Sequence, residues 1–336
     1  MKKTKRRFKG NNIIWIIFLV ILVYIILGSL IGELFLYLLL RVREWSPAMH
    51  FIHYYYTYTA GAVLTLVLYC LIFKKNRFIL RSFLPAGMGR AHKVLVVEDS
   101  YEPTQNNTPK ALLLGLLLGF LTNFICIACA LLHGDIGLYL DFSAAQLPVL
   151  LFGLLMVFVQ SSSEELWCRG FLYERLNIHY PLWAAVVVNG ALFGLLHCFN
   201  DGATVLAILE IAVCGIAYSL LRWYTGSIWV VMGTHTMWNF TQNFLFGLPN
   251  SGLVSEISVL HLDASNGVSN LIYNFAFGVE GALPALIVDL ALGGAILLLA
   301  RRDGRLGELR MSYEKKAALS SNVSENSGEH ITENEP

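Results

Sequence analysis

Charged residues are scarce in this sequence. Asp, Glu, Lys and Arg make up only 14% of its 336 residues, whereas about 25% is usual in a soluble domain. Hydrophobic residues account for 56%, and Lys and Arg are missing from long stretches that alternate with basic clusters. This deficit argues against a water-soluble protein and against a nucleic-acid-binding surface. It is typical of an integral membrane protein.

Cysteines are few, and all six lie in or beside apolar runs. This position argues against a disulfide framework. Cys126 and Cys129 form a C-x-x-C pair, but a zinc ribbon requires two such pairs in a polar loop. We therefore interpret the cysteines as small apolar side chains.

Apolar runs long enough to cross a bilayer dominate the chain. Because a membrane core about 30 Å thick requires roughly 20 apolar residues in a helix, the sequence predicts an all-α, polytopic bundle of transmembrane helices with about eight spans. These cover residues 13–40, 54–73, 111–132, 147–176, 182–199, 203–221, 227–246 and 282–300. The first run is too long for a signal-peptide core and lacks a small-residue cleavage site, so we expect it to be retained.

Basic residues predict the orientation, because they accumulate in cytoplasmic segments. Basic clusters precede the first run and follow the second, and single or clustered arginines end the fourth, sixth and eighth. The loop at residues 247–281 contains no Lys or Arg. The pattern places both termini in the cytoplasm and this loop outside. Arg41 and Arg43, at the outer end of the first run, are the exception.

Ionisable residues inside these runs are the first indication of function, since each is costly unless it is paired or faces a wet cavity. The fourth run carries Glu164, Glu165 and Arg169 after a polar stretch at 160–163. Glu165 and Arg169 are four residues apart, which suits an ion pair on one helix face. Glu164 points about 100° away from Glu165, so the two carboxylates can have different roles.

Two further predicted helices carry histidines. His197 lies in the fifth span, and His235 and Asn239 lie one turn apart in the seventh. Such residues can activate a water molecule and stabilise an oxyanion. At a rise of 1.5 Å per residue, the heights of Glu164, His197 and His235 along their helices differ by only about 10 Å. We therefore expect these residues to share one site near mid-membrane. Interhelical packing is the alternative role for the ion pair, for both histidines and for Asn239.

Three more polar residues fall in the predicted spans but match no motif. They are Asn189, Glu210 and Asp289. We interpret them as residues that line a cavity or join helices through hydrogen bonds.

The ionisable residues form three spaced motifs: Glu164-Glu165-x-x-x-Arg169, Phe193-x-x-x-His197 and His235-x-x-x-Asn239. Together, with Gly170 directly after the arginine, they resemble the CPBP family of intramembrane proteases. This family includes the type II CAAX prenyl endopeptidases and bacterial Abi-type proteins. The resemblance covers about residues 147–246.

The resemblance implies a role for each motif residue. Glu164 would polarise the attacking water with help from His197, while His235 and Asn239 would stabilise the tetrahedral oxyanion. Glu165 and Arg169 would form the structural ion pair that aims Glu164.

Two mechanisms fit this set of residues. Glu164, His197 and His235 can supply three ligands of a catalytic Zn²⁺, with water as the fourth. A metal-free glutamate mechanism uses the same residues, and it is the one that we favour.

The sequence therefore predicts an intramembrane endopeptidase that acts in the lipid bilayer on a membrane-bound peptide or lipidated protein, with no nucleic-acid partner. It lacks the H-E-x-x-H and G-x-S-x-G motifs of other protease types. The alternatives are a transporter whose buried charges form an ion pathway and a non-catalytic binding or immunity protein. Whether the substrate is prenylated stays open.

The predicted organisation has four parts. Residues 1–12 form a basic cytoplasmic N-terminus, and residues 13–110 contain two spans and a cytoplasmic loop. Residues 111–302 form the protease-like core. Residues 303–336 form a polar tail whose composition predicts disorder.

Overall fold

A computed structural model of the chain describes Leu30, Val67, Lys315 and residues 82–87, 105–255, 257–263 and 267–312. Its helices are α1 (Pro109–His133), α2 (Leu147–Glu165), α3 (Tyr173–His179), α4 (Leu182–Leu196), α5 (Val205–Thr225), α6 (Ile228–Phe240) and α7 (Leu283–Arg302). π-helical segments follow α2 at Leu166–Leu172 and α6 at Thr241–Leu245. Short 3₁₀ turns lie at Ala144–Gln146, Val279–Gly281 and Leu306–Arg310.

The predicted helical membrane bundle is confirmed. Within the described residues, five helical stretches are long and apolar enough to cross a membrane: Pro109–His133, Ala144–His179, Leu182–Phe199, Val205–Thr225 and Leu283–Arg302. They coincide within a few residues with five of the predicted runs. The run at 227–246 forms α6 and the π-helical segment after it. The runs at 13–40 and 54–73 and most of the tail lie outside the described residues.

Two details differ from the sequence prediction. The fourth run is not one continuous α-helix, because its π-helical segment separates α2 from α3. A small antiparallel sheet also joins β1 (Gly137–Leu140) to β2 (Leu260–Asp263), with Gly137 opposite Asp263. Strands this short give little periodic signal in a sequence.

Polar caps fix where the helices begin. The Thr108 side chain accepts a hydrogen bond from the Ala111 amide at the start of α1. The start of α6 is capped from a distant part of the chain, since Asn107 Oδ1 accepts from the Ser227 hydroxyl and the Ile228 amide at 2.9 and 3.0 Å. Asn107 therefore satisfies amides that have no partner within the helix and holds α6 beside α1.

Glycines allow α1 and α6 to pack with their backbones in close approach. A Cβ atom built on Gly115 would lie 2.1 Å from the Val230 carbonyl oxygen, and one on Gly119 would lie 2.1 Å from that of Thr234. No side chain fits in this space. Spacing of small residues by four is a common way to pack membrane helices, and here it fixes the height of His235, which follows Thr234.

Hydrogen bonds bring several helix ends together at one end of the bundle, and loops lie at the other. At one end, the Asn106 amide donates to the Gly226 carbonyl, and Arg305 donates to the Tyr224 carbonyl at 2.8 Å. The start of α1, the end of α5 and the end of α7 therefore lie together. The opposite end carries the loop at 197–204 and the long connection from α6 to α7, which begins at residue 246.

Candidate functional site

One cavity of about 240 Å³ lies among α2, α4, α5 and α6 and the loops at the end opposite the Arg305 contacts. Four of the predicted site residues line its wall: Glu164, His197, His235 and Asn239. Other lining residues include Gln160, Phe193, Glu210, Tyr218, Asn250, Ser251 and Glu280. A single enclosed water needs only about 10–15 Å³ by the same measure, so the cavity has room for a water and part of a peptide.

Glu164 presents its carboxylate to this cavity from the last turn of α2. The side-chain amide of Gln160, one turn earlier, donates to Glu164 Oε1 at 2.6 Å. The residue is only 7% exposed. Gln160 therefore holds one carboxylate oxygen, and Oε2 lies 3.8 Å from Nε2 of His235.

Glu165 and Arg169 lie behind the cavity wall and are fully buried. Arg169 Nη1 donates to Glu165 Oε1 at 3.0 Å, so the expected ion pair is present. Arg169 Nη2 donates to the Gly215 carbonyl on α5, and the guanidinium lies over the Phe193 ring at 4.5 Å from its centroid. The arginine thus ties α2 to α4 and α5 from within the π-helical segment, a local geometry that is frequent at functional sites.

The ion pair contacts a histidine directly. His235 Nδ1 lies 2.9 Å from the same Glu165 oxygen that accepts from Arg169. Because a carboxylate only accepts, this contact assigns the proton to Nδ1 and turns Nε2 of His235 toward the cavity. Among the described contacts, the pair therefore orients His235, and Gln160 is the residue that holds Glu164.

His197 lies at the end of α4, beyond its last helical residue. Its Nδ1 lies 2.8 Å from the Phe193 carbonyl oxygen one turn earlier. Since a carbonyl oxygen accepts, the proton is again assigned to Nδ1, which leaves Nε2 of a neutral ring as an acceptor. The Phe193 ring packs edge-on against both histidines, at centroid distances of 4.9 Å from His197 and 6.0 Å from His235.

Asn239 lines the cavity one turn after His235. Its Oδ1 accepts from Asn250 Nδ2 at 3.3 Å, and Asn250 also donates to Glu280 Oε1 at 2.8 Å. Asn250 and Glu280 belong to the long loop after α6. Sequence reasoning missed both residues, because a loop residue carries no depth or periodicity that links it to a helix far away in sequence.

Glu280 is the most heavily hydrogen-bonded of the missed residues. Besides Asn250, its carboxylate accepts from Trp238 Nε1, Gln242 Nε2 and the Ser251 amide at 2.9–3.1 Å. Burial raises its pKa above the ordinary value, and these donors oppose that rise. A lone acidic residue just before the last apolar run was the available signal.

The three polar residues without a motif differ in what they contact. Asn189 on α4 donates to the Cys168 carbonyl, so it joins two helices. Glu210 on α5 lines the cavity. Its carboxyl group interacts with that of Asp289 on α7, and both residues are 1% exposed.

The residues do not fit a three-ligand metal site as they lie. Within the described part of the chain, no group of three or more His, Cys, Asp or Glu side chains has positions suited to holding a metal ion. Glu164, His197 and His235 are all described, and Nδ1 of each histidine is engaged by an oxygen acceptor, which leaves Nε2 as the ring nitrogen that could face a metal. The misfit therefore lies in the relative positions of the three side chains.

Comparison with known proteins supports the resemblance seen in the motifs. Residues 146–241 match the family model of the type II CAAX prenyl endopeptidase Rce1-like proteins. The matched segment contains every motif residue from Glu164 to Asn239. This match confirms the resemblance to the CPBP family and supports a CAAX-type intramembrane protease.

A bacterial relative matches a limited part of the chain. The uncharacterized protein YyaK of Bacillus subtilis (strain 168) is 31% identical over 128 residues, which cover 35% of this chain and 42% of that protein. The chain thus matches less than half the length of this relative.

Proposed function

Because the chain carries an Rce1-like segment of the CPBP intramembrane protease family, we propose that it is an endopeptidase. It hydrolyses a peptide bond of a membrane-associated or lipidated peptide with water activated by Glu164. One observation carries the proposal: Glu164, His197, His235 and Asn239 share the wall of a single cavity inside an apolar bundle. Buried ionisable groups of this kind mark functional sites in membrane proteins.

The first step of the proposed reaction is attack by water. The Glu164 carboxylate accepts one proton as the water oxygen bonds to the carbonyl carbon, and the free Nε2 of His197 accepts a hydrogen bond that orients the water. The carbonyl π electrons move to the oxygen and form an oxyanion. Asn239 Nδ2 donates to this oxyanion. Nε2 of His235 donates as well when the ring carries a proton on both nitrogens, and the Glu165 carboxylate then compensates the positive charge of the ring.

Collapse of the intermediate completes the proposed reaction. The oxyanion re-forms the carbonyl, the C–N bond breaks, and Glu164 gives its proton to the departing amine. The products are a carboxylic acid and an amine, and the enzyme returns to its starting state. Glu164 therefore acts first as general base and then as general acid.

The proposed protease activity can be tested with the substrate still unidentified. Wild-type protein and the Glu164→Gln variant are reconstituted with a solubilised membrane fraction of the host, and new peptide N-termini are labelled and identified by mass spectrometry. Wild type is expected to produce termini that Glu164→Gln does not. A farnesylated C-a-a-X peptide and its unprenylated form, assayed in parallel, report whether the lipid is needed.

Matched variants control for general damage. Asp141 and His133 are exposed residues away from the cavity, so Asp141→Asn and His133→Ala are expected to keep wild-type activity, whereas His197→Ala loses it. If wild type and Glu164→Gln give the same termini, or wild type gives none, the protein is not the proposed protease. A non-catalytic binding protein would give that result.

A further inference from the structure

Glu280 and Asn250 form a chain of hydrogen bonds that ends on Asn239. Glu280 lies in the 3₁₀ turn before α7 and is 5% exposed. Its two oxygens accept from four donors, which come from α6, from the π-helical segment after α6 and from the turn that begins at Asn250. The carboxylate therefore fixes three parts of the chain around itself.

The direction of each bond in this chain follows from the carboxylate. An ionised carboxylate has no proton to donate, so Asn250 must present its NH₂ group to Glu280. The second hydrogen of the same NH₂ group then points to Asn239. The Asn239 atom that accepts it must be Oδ1, which lies 3.3 Å from Asn250 Nδ2. This order assigns both amide orientations from the network, which is how such orientations are determined.

The turn that carries Asn250 is held in an unusual backbone conformation. Ser251 has φ +47° and Gly252 has φ +90°, values that suit a type I′ turn. The Ser251 amide donates to Glu280 at 2.9 Å, and its carbonyl accepts from Asn200. A non-glycine residue at positive φ persists only where surrounding contacts determine it, and Glu280 supplies one of these contacts.

We propose that Glu280 is a positioning residue for peptide hydrolysis. It acts through Asn250, which engages Oδ1 of Asn239 and so turns Nδ2 of Asn239 toward the cavity as a hydrogen-bond donor to the oxyanion. This proposal rests on the proposed function. Without the chain of bonds, the Asn239 amide can rotate and present its oxygen to the oxyanion instead, which repels it.

The test is a double-mutant cycle on kcat and KM. Loss of one oxyanion donor lowers kcat by about 10²–10³-fold, and this sets the expected effect of Asn239→Ala. Glu280→Gln is expected to lower kcat by at most that factor with KM nearly unchanged. The double variant is expected to be no slower than Asn239→Ala alone, because both changes remove the same interaction. If the losses of kcat in Glu280→Gln and Asn239→Ala instead multiply in the double variant, the proposal is wrong.

A second variant covers the case in which Glu280→Gln does not fold. Asn250→Ala removes the middle of the chain and leaves Glu280 its other three donors. It is expected to give the same loss of kcat and the same non-additivity with Asn239→Ala. The matched control is Glu174→Gln, another buried glutamate, which pairs with Arg222 at 2.7 Å away from the cavity. In the double variant of Glu174→Gln and Asn239→Ala, the two factors by which kcat falls should multiply.

A spectroscopic measurement separates this inference from the proposed function. In protein labelled with ¹⁵N-asparagine, the Asn239 side-chain NH₂ signals are identified by their loss in Asn239→Ala. They are expected to shift in Glu280→Gln and in Asn250→Ala but not in Glu174→Gln. Unchanged signals would refute the positioning role, whereas an inactive wild type with shifted signals would refute only the protease function.

Discussion

At the scale of single residues, Glu164 and Glu165 are neighbours in sequence with unrelated surroundings. Glu164 faces the cavity with one oxygen held by Gln160. Glu165 is fully buried and uses one oxygen to accept from both Arg169 and His235. The difference follows from helix geometry, because adjacent residues point about 100° apart. One carboxylate is left accessible for chemistry while the other neutralises a buried cation.

The first prediction concerns this buried pair. Glu165→Gln leaves Arg169 without its carboxylate in a fully buried position, so the free energy of unfolding should fall by about 3–5 kcal/mol. Unfolding in mixed micelles measures it. Glu308→Gln is the control, because the Glu308–Arg305 pair is about one-third exposed and such pairs contribute at most about 1 kcal/mol. Equal losses in the two variants would contradict the assignment.

The second prediction concerns pH. Burial raises the pKa of Glu280 above 4.5 in the folded protein, so the folded state binds this proton more tightly than the unfolded state. The contribution of Glu280 to stability is therefore greatest below the unfolded pKa and is lost as pH rises through the folded pKa. Unfolding measured from pH 4 upward should show a shallower decline for Glu280→Gln than for wild type.

Other titratable groups face Glu280, and they are present in both wild type and Glu280→Gln. They are His235, Glu210, Asp289, Tyr273 and Cys126. The difference between the two pH profiles therefore reports on Glu280. Burial raises the pKa of Tyr273, so this group does not titrate in the acidic range. A slope that is unchanged in Glu280→Gln would show that Glu280 does not titrate there either.

At the scale of elements, close backbone contacts at glycines set the heights of the site residues. Gly119 lets α1 contact the backbone of α6 beside His235. Gly190 on α4 does the same against α5, since a Cβ built there would lie 2.6 Å from the Ala212 carbonyl oxygen. These contacts are between backbones, so they leave little freedom for one helix to slide along another.

The third prediction tests one such contact. In Gly119→Ala, the added methyl group must displace the Thr234 carbonyl, which moves α6 and with it His235. We expect lower thermal stability and at least tenfold lower activity. Gly294→Ala on α7 is the matched control, because no described atom lies within 4 Å of its added Cβ. A Gly119→Ala variant as active as Gly294→Ala would mean that the spacing of these helices does not affect the site.

At the scale of the whole molecule, the described bundle has two chemically different ends. The arginines that end α5 and α7 lie together at one end, where Arg305 donates to the Tyr224 carbonyl. The cavity and its loops lie at the other end, where the connection from α6 to α7 has no Lys or Arg. Positive residues accumulate on the cytoplasmic side, so this asymmetry predicts an orientation.

The fourth prediction tests that orientation. In a chain without its native cysteines, Asp303→Cys reports on the basic end and Asp201→Cys on the loop end, and both native residues are exposed. A membrane-impermeant maleimide applied to intact cells should label Asp201→Cys and should label Asp303→Cys only after permeabilisation. The reverse pattern would place the basic end outside.

Composition and motif spacing were sufficient to predict a helical membrane bundle and to select Glu164, His197, His235 and Asn239 as candidates. These properties are local. An apolar run of 20 residues must be a helix in lipid, and an ionisable group within such a helix costs free energy, so it marks a candidate functional residue. The family-model match over residues 146–241 agrees with this part of the prediction.

Other features depended on which atoms meet in space. The contact of Glu165 with His235, the π-helical segment around Arg169 and the bonds from Glu280 through Asn250 to Asn239 join residues that are up to 70 positions apart. Loop residues such as Asn250 have no helical period that fixes their depth or direction. Their positions follow from contacts between parts of the chain that are distant in sequence, such as the bonds from Asn250 to Glu280 and Asn239, so tertiary structure alone brings them to the cavity.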